Sequence, residues 1–128
     1  MNGRELHELA EARAQELPGA TLSNPFGPGS DVYKVRGKMF ALLTATGGVP
    51  IVNLKITPED GAALREQHSD IRPAWHMNKK HWISVHPGGS VDAELLADLV
   101  TESYLLVVEK LPRAHRPVDP AAFGRVER

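Results

Sequence analysis

Apolar residues fall at helical spacing over residues 4–17, where Leu6, Leu9, Ala10 and Leu17 share a stripe with Arg13, and Pro18-Gly19 ends the run. The pattern predicts an amphipathic first helix. Ser23 to Ser30 holds two prolines and two glycines and reads as a loop. Periodicity then shortens. Residues 32–36 and 38–44 flank Gly37, and Thr46-Gly47-Gly48 separates the second run from residues 51–56, predicting a three-stranded antiparallel meander. Phe40, Ala41, Leu42 and Leu43 make the middle strand apolar on both faces, as a central strand requires.

Thr57-Pro58-Glu59-Asp60 supplies an N-cap, a proline at the first helical position and two acids over the helix dipole, so a short helix is expected through Gln67. Trp82 to Val85 has strand character and stops at Pro87-Gly88-Gly89. Ser90 reads as the cap of a long helix whose apolar face runs from Leu95 to Leu111, with Pro112 as its end. This order implies an α+β two-layer sandwich, an antiparallel sheet with helices packed on one face and the other face open. Residues 1–112 form the expected single domain, and 113–128 a loosely packed tail.

Absence of cysteine excludes disulfides, thiolate metal ligands and a cysteine nucleophile. The first residues lack a basic segment followed by an apolar one, and no apolar run approaches the ~20 residues of a membrane span. The expectation is a cytoplasmic monomer that does not contact a membrane.

A formal net charge of −1 conceals a segregated pattern. The three helical segments are each acidic, whereas residues 32–57 carry Lys34, Arg36, Lys38 and Lys55 without an acid, and residues 71–91 carry Arg72, Lys79 and Lys80 without one. Strand alternation sets Lys55 apart from Val52, Leu54 and Ile56, and puts Lys34 and Arg36 on one side. One sheet face therefore reads as a basic platform able to attract phosphates or other anions. Solvent-facing strands also use Lys and Arg merely to block edge pairing.

Chemistry-bearing side chains concentrate between Arg72 and Val85, which holds both tryptophans. His76, His81 and His86 recur every five residues. In a strand that spacing alternates faces, and in a helix it separates side chains by about 140°, so no shared metal site follows and no cofactor is implied. Trp82, inside the strand, is expected to fill the core, while Trp75, in a loop, is free to stack on a ligand. None of the serines lies in a Gly-x-Ser-x-Gly elbow, and the glycine pairs lack the context of a phosphate loop. Glu5, Glu8, Glu11 and Glu16 make a possible acidic ridge for iron that Arg4 and Arg13 interrupt.

Four stretches carry a family resemblance: Tyr33-Lys34-Val35-Arg36-Gly37-Lys38-Met39-Phe40-Ala41, Val52-Asn53-Leu54-Lys55, His76-Met77-Asn78-Lys79-Lys80-His81-Trp82-Ile83-Ser84-Val85, and Ser103-Tyr104. On these the chain resembles the MmcQ/YjbR family of small bacterial proteins across roughly residues 4–112. The resemblance implies a CyaY/frataxin-like sandwich and a DNA-binding role through a double-wing arrangement, with no established reaction. Combined with the charge pattern, it leads to the expectation of a non-enzymatic DNA-binding protein. Lys34, Arg36, Lys38, Lys55, Lys79 and Lys80 are then the phosphate contacts, with Trp75 and His76 supplying stacking or polar contacts. The rival expectation is a module for a small molecule or protein, with a pocket beside the same Trp75–Lys80 loop.

Overall fold

A computed structural model describes residues 1–123. The chain runs α1 (Gly3–Glu16), β1 (Ala20–Ser23), β2 (Asp31–Val35), β3 (Lys38–Thr46), β4 (Val49–Lys55), α2 (Pro58–Gln67), β5 (Ile71–Pro73), β6 (Trp82–Val85) and α3 (Ala93–Val108). One antiparallel sheet in the order β1-β2-β3-β4-β6-β5 carries the helices on one face, the α+β sandwich expected. The two edge strands, β1 and β5, are four and three residues long and were not legible in the periodicity. Strands this short exist because a neighbouring strand supplies the pairing.

Both tight hairpins follow from turn chemistry. Gly47 and Gly48 (φ 56° and 79°) join Thr46 to its partner Val49, and Arg36 and Gly37 (φ 51° and 80°) join Val35 to Lys38. Positive φ at both central positions matches the twist of the flanking strands. Capping also decides the helix ends. The Asn2 side chain accepts from the Glu5 amide at 2.8 Å while Glu5 accepts from the Asn2 amide at 3.1 Å, a capping box. Thr57 caps α2 as expected. Ser90 does not cap α3; Asp92 does, accepting from the Leu95 amide at 2.8 Å. Two residues nearer the helix, its carboxylate meets the free amides directly.

Leu6, Ala10, Ala14 and Leu17 of α1 and Leu96, Val100, Tyr104 and Val107 of α3 close over Tyr33, Val35, Leu43, Val52, Leu54, Ile83 and Val85. Leu9 and Arg13 fall off the buried stripe, and Arg13 instead donates to Thr101 Oγ1 at 2.8 Å. The glutamates of α1 do not form a free ridge: Arg4 pairs with Glu8 at 2.8 Å, Arg13 with Glu16 at 3.6 Å, and Glu5 is spent on the cap.

At the centre of the sheet, β2 and β3 slip register between Tyr33 and Lys34, which leaves Phe40 as an extra residue in β3. The β3–β4 ladder ends at Ala41–Leu54. Where Phe40 and Lys55 would next exchange backbone bonds, buried Ser103 of α3 intervenes. Its hydroxyl donates to the Phe40 carbonyl at 2.5 Å and accepts from the Lys55 amide at 2.8 Å. Phe40 itself turns to the helices and meets Tyr104 edge-on at 5.4 Å.

After Pro112 the chain stays mostly exposed but makes particular contacts back to the domain as far as Phe123. Arg116 donates to the carbonyls of Leu111 and Glu109 at 2.9 and 2.8 Å, Arg36 Nε reaches the His115 carbonyl at 3.0 Å, and Val118 and Phe123 pack on the core. The polar anchors of this segment all end on backbone carbonyls, which composition does not reveal. The remainder of the expected tail, 124–128, lies outside the described residues.

Candidate ligand-binding site

The second face of the sheet is not the open platform expected. Val32, Leu42, Thr44, Ile51, Asn53 and Ser84 point there and are all buried. What covers them is loop: residues 24–30 from one side and 74–81 from the other.

The second loop is fastened by a buried polar relay. Ser84 accepts from the Trp75 amide at 2.9 Å and donates to Asn53 Oδ1 at 2.5 Å, and Asn53 Nδ2 donates to the Trp75 carbonyl at 3.1 Å and Met77 Sδ at 3.3 Å. Asn53 and Ser84 are directly paired across β4 and β6, so strand register alone brings them together. The relay holds Trp75 by both its backbone groups. His76 follows with φ 56°, a left-handed conformation uncommon for a residue with a Cβ, and its ring stands perpendicular to Trp75 with centroids 4.1 Å apart.

Between the two loops lies a slot of about 570 Å³ walled by Phe26, Trp75 and His76, with Met39, Leu42 and Met77 completing its apolar lining. Trp75 and Phe26 remain 37% and 70% exposed, so both offer ring surface to a ligand. Sharing Trp75 and His76 with the slot is a second cleft of about 530 Å³ bounded by Thr46, Arg72, Lys79 and His86. No acid lines it. Burial, then the nearby Arg72 charge, pulls the His86 imidazole below its ordinary pKa.

β5, which carries Arg72, is pinned by Asp70. Its carboxylate accepts from the Ser90 amide at 2.8 Å and its own amide donates to Ser90 Oγ at 3.0 Å. Burial pushes the Asp70 carboxyl up, but the Ser90 bonds and Arg72 outweigh it and hold the pKa below the ordinary value. Gly88 (φ 152°) crosses directly over this carboxylate, and a Cβ there would collide with both oxygens. Gly88→Ala is expected to lower stability by about 2–3 kcal/mol, from steric displacement of Asp70 added to backbone strain. A thermal melt within a degree or two of the parent protein would show that the contact relaxes freely.

The residues expected to bind are not all brought together. Trp75, His76 and Lys79 converge, with Lys79 Nζ donating to the Ala74 carbonyl at 3.0 Å. Lys34 opposes Met39, and Lys55 opposes Trp82, with Lys55 Nζ 5.9 Å from the indole centroid. Trp82 therefore lies outside the core, contrary to the expectation that it fills it. Its neighbours Ile83 and Val85 take the helix side, and alternation sends the indole to the other face. Lys38 opposes the core residue Val35 and so sits on the helix side, Arg36 is committed to the chain after α3, and Lys80 is exposed at the loop's end. Of the histidines, His76 and His86 flank the cleft, and no three metal-ligating side chains converge among the described residues. Phe26, Met39, Leu42, Met77 and Arg72 were missed as site residues. The only sequence signals were an isolated Phe in a turn-rich loop and a middle strand apolar on both faces.

Residues 15–106 match the family model described as YjbR. A curated Escherichia coli relative, the uncharacterised protein YbdF, is 45% identical over 113 residues, spanning 88% of this chain and 93% of the relative. YjbR from Escherichia coli is 41% identical over 83 residues, 65% of this chain and 70% of the relative. The crystal structure of Deinococcus radiodurans protein DR2400, with the domain DUF419, superimposes with a TM-score of 0.80 at 35% identity and covers 92% of both chains. A Pseudomonas syringae protein gives 0.66 at 28% identity, over 83% of this chain and 98% of that one. No helix among the described residues is long and apolar enough to cross a membrane.

Proposed function

The chain belongs to the YjbR family, and from that premise we propose that it is a binding module which takes a small organic anion into the loop-covered face of its sheet. The observation that carries this reading is the pairing of an apolar slot with an acid-free cationic cleft, the two sharing Trp75 and His76 in their walls. Small-molecule sites are typically concave and mostly apolar, with a few polar groups to set orientation. Of the two expectations from sequence, the mostly apolar slot beside Trp75 supports the small-molecule one over DNA.

DNA remains the second reading because of one arrangement. Lys34 and Lys55 lie two strands apart on the same face, about 10 Å by ordinary strand spacing, with Trp82 beside Lys55 as a stacking surface. The two readings separate in one titration series followed by amide and indole chemical shifts. Anilinonaphthalene sulfonate, an aromatic anion, is expected to shift Phe26, Met39 and Trp75 saturably and to lose this response in Trp75→Ala. Short single-stranded and duplex DNA are expected to bind weakly. Tight DNA binding that falls steeply between about 50 and 200 mM salt, and that a Lys34→Ala/Lys55→Ala double variant abolishes, would replace this reading with the nucleic-acid one.

A further inference from the structure

Resting on the pocket reading above, we infer a narrower ligand class: a planar aromatic ring joined by a short link to a phosphate or carboxylate, with the ring in the slot and the anion held by Arg72 and Lys79.

The ring half follows from what lines the slot. Phe26 and Trp75 present aromatic surfaces, and Met39 and Met77 present thioethers from the sheet and from the loop. Thioether sulfur packs favourably at aromatic ring edges, and aromatic pairs gain beyond the area they bury. A flat ring uses both kinds of wall at once. Met77 is further oriented by the Asn53 amide on its sulfur, so this wall is built rather than incidental.

The anion half follows from two cations that form no direct ion pair, although the Asp70 carboxylate lies near enough to feel the charge of Arg72. Among the described residues, no acid lies within ion-pair distance of Arg72 or Lys79. The nearest in sequence, Asp70, is already engaged by the Ser90 amide. Lys79 spends one N–H on the Ala74 carbonyl and keeps two. The planar guanidinium of Arg72 suits two oxygens of one phosphate or carboxylate. Both cations line the cleft that shares Trp75 and His76 with the slot, so a ligand that follows those two residues from slot to cleft meets both halves. Inorganic phosphate satisfies only the second half, and a neutral ring only the first.

Three probes test this on the full chain: 1-naphthyl phosphate, 1-naphthol and inorganic phosphate, each titrated while the Trp75 indole resonance is followed. Naphthyl phosphate is expected to bind about tenfold or more tightly than either alone, the discrimination one charge-assisted contact supplies. Arg72→Gln, at an exposed position on an edge strand, is expected to remove about tenfold from naphthyl phosphate affinity and leave naphthol unchanged, with its thermal melt confirming an intact fold. Equal affinity for naphthol and naphthyl phosphate would overturn the anion half and leave the pocket reading standing. Phosphate binding as tightly as naphthyl phosphate would overturn the ring half. Failure of all three to bind saturably would overturn the inference and the pocket reading together, and single-stranded DNA binding that naphthyl phosphate does not displace would assign the face to nucleic acid instead.

Discussion

Ser103→Ala is expected to cost about 2–4 kcal/mol of stability, a large share of the 5–15 kcal/mol typical of a domain. The alanine leaves a small void, but the void is the lesser effect. The Phe40 carbonyl and the Lys55 amide lie beside the bulge, just past the last pair of the β3–β4 ladder, and the Ser103 hydroxyl donates to the first and accepts from the second. Removing it orphans a buried carbonyl and a part-buried amide, at about 1–3 kcal/mol each before relaxation. A thermal melt is expected to fall by roughly 10 °C in a domain of this size. The neighbouring Tyr104→Phe, which removes only a donor to the Pro18 carbonyl, serves as the milder control. If Ser103→Ala melts like Tyr104→Phe, water reaches the gap and the serine is not the keystone of the bulge.

Asn53→Asp tests the relay under the Trp75 loop with almost no change of shape. Asn53 is fully buried, and its amide nitrogen faces the Trp75 carbonyl and the Met77 sulfur. An aspartate keeps the acceptor for Ser84 but sets a second oxygen against that carbonyl, in a site without a cation to balance it. Burial and the missing donor both favour the protonated form, so the folded-state pKa rises above that of the unfolded chain. The sign is therefore opposite to that of a salt-bridged carboxylate. Stability is greatest below the unfolded pKa, near 4, and is lost as pH rises through the higher folded value. At neutral pH the variant is expected to be destabilised by about 3 kcal/mol or more, with recovery towards pH 4 relative to the parent protein, read by melts across pH. Hydrogen exchange is expected to quicken first at residues 74–81, and the ligand response of Trp75 to weaken with it. A pH-independent loss would mean that the carboxylate finds water, and that the loop is held by packing.

The two residues show why the family signature is spread along the chain. Ser103, Asn53 and Ser84 read in sequence as small polar residues within apolar runs, with no motif to assign them chemistry. Each turns out to bond backbone from another element, forty-eight residues away in the case of Ser103 and Lys55. The candidate site was legible only in part for the same reason. Trp75, His76 and Lys79 are close in sequence and stood out by residue type, whereas Phe26, Met39 and Arg72 reach the site from three other elements and are ordinary where they stand.

Local rules were enough for what local rules govern. Periodicity, turn glycines and capping residues determine α1, α2, the two tight hairpins and the strand–helix order, because each depends on neighbours a few positions apart, and from that order the helix-covered sheet follows. Tertiary structure alone decided the edge strands, whose three or four residues are held by a partner's hydrogen bonds, and the fate of the second face. Alternation said correctly that Lys34 and Lys55 leave the core, but two loops roof the middle of that face, since buried Leu42, Ile51 and Asn53 cannot be left to water. That roof turns an expected flat basic platform into a slot and a cleft, and long-range pairing, not composition, is what places it.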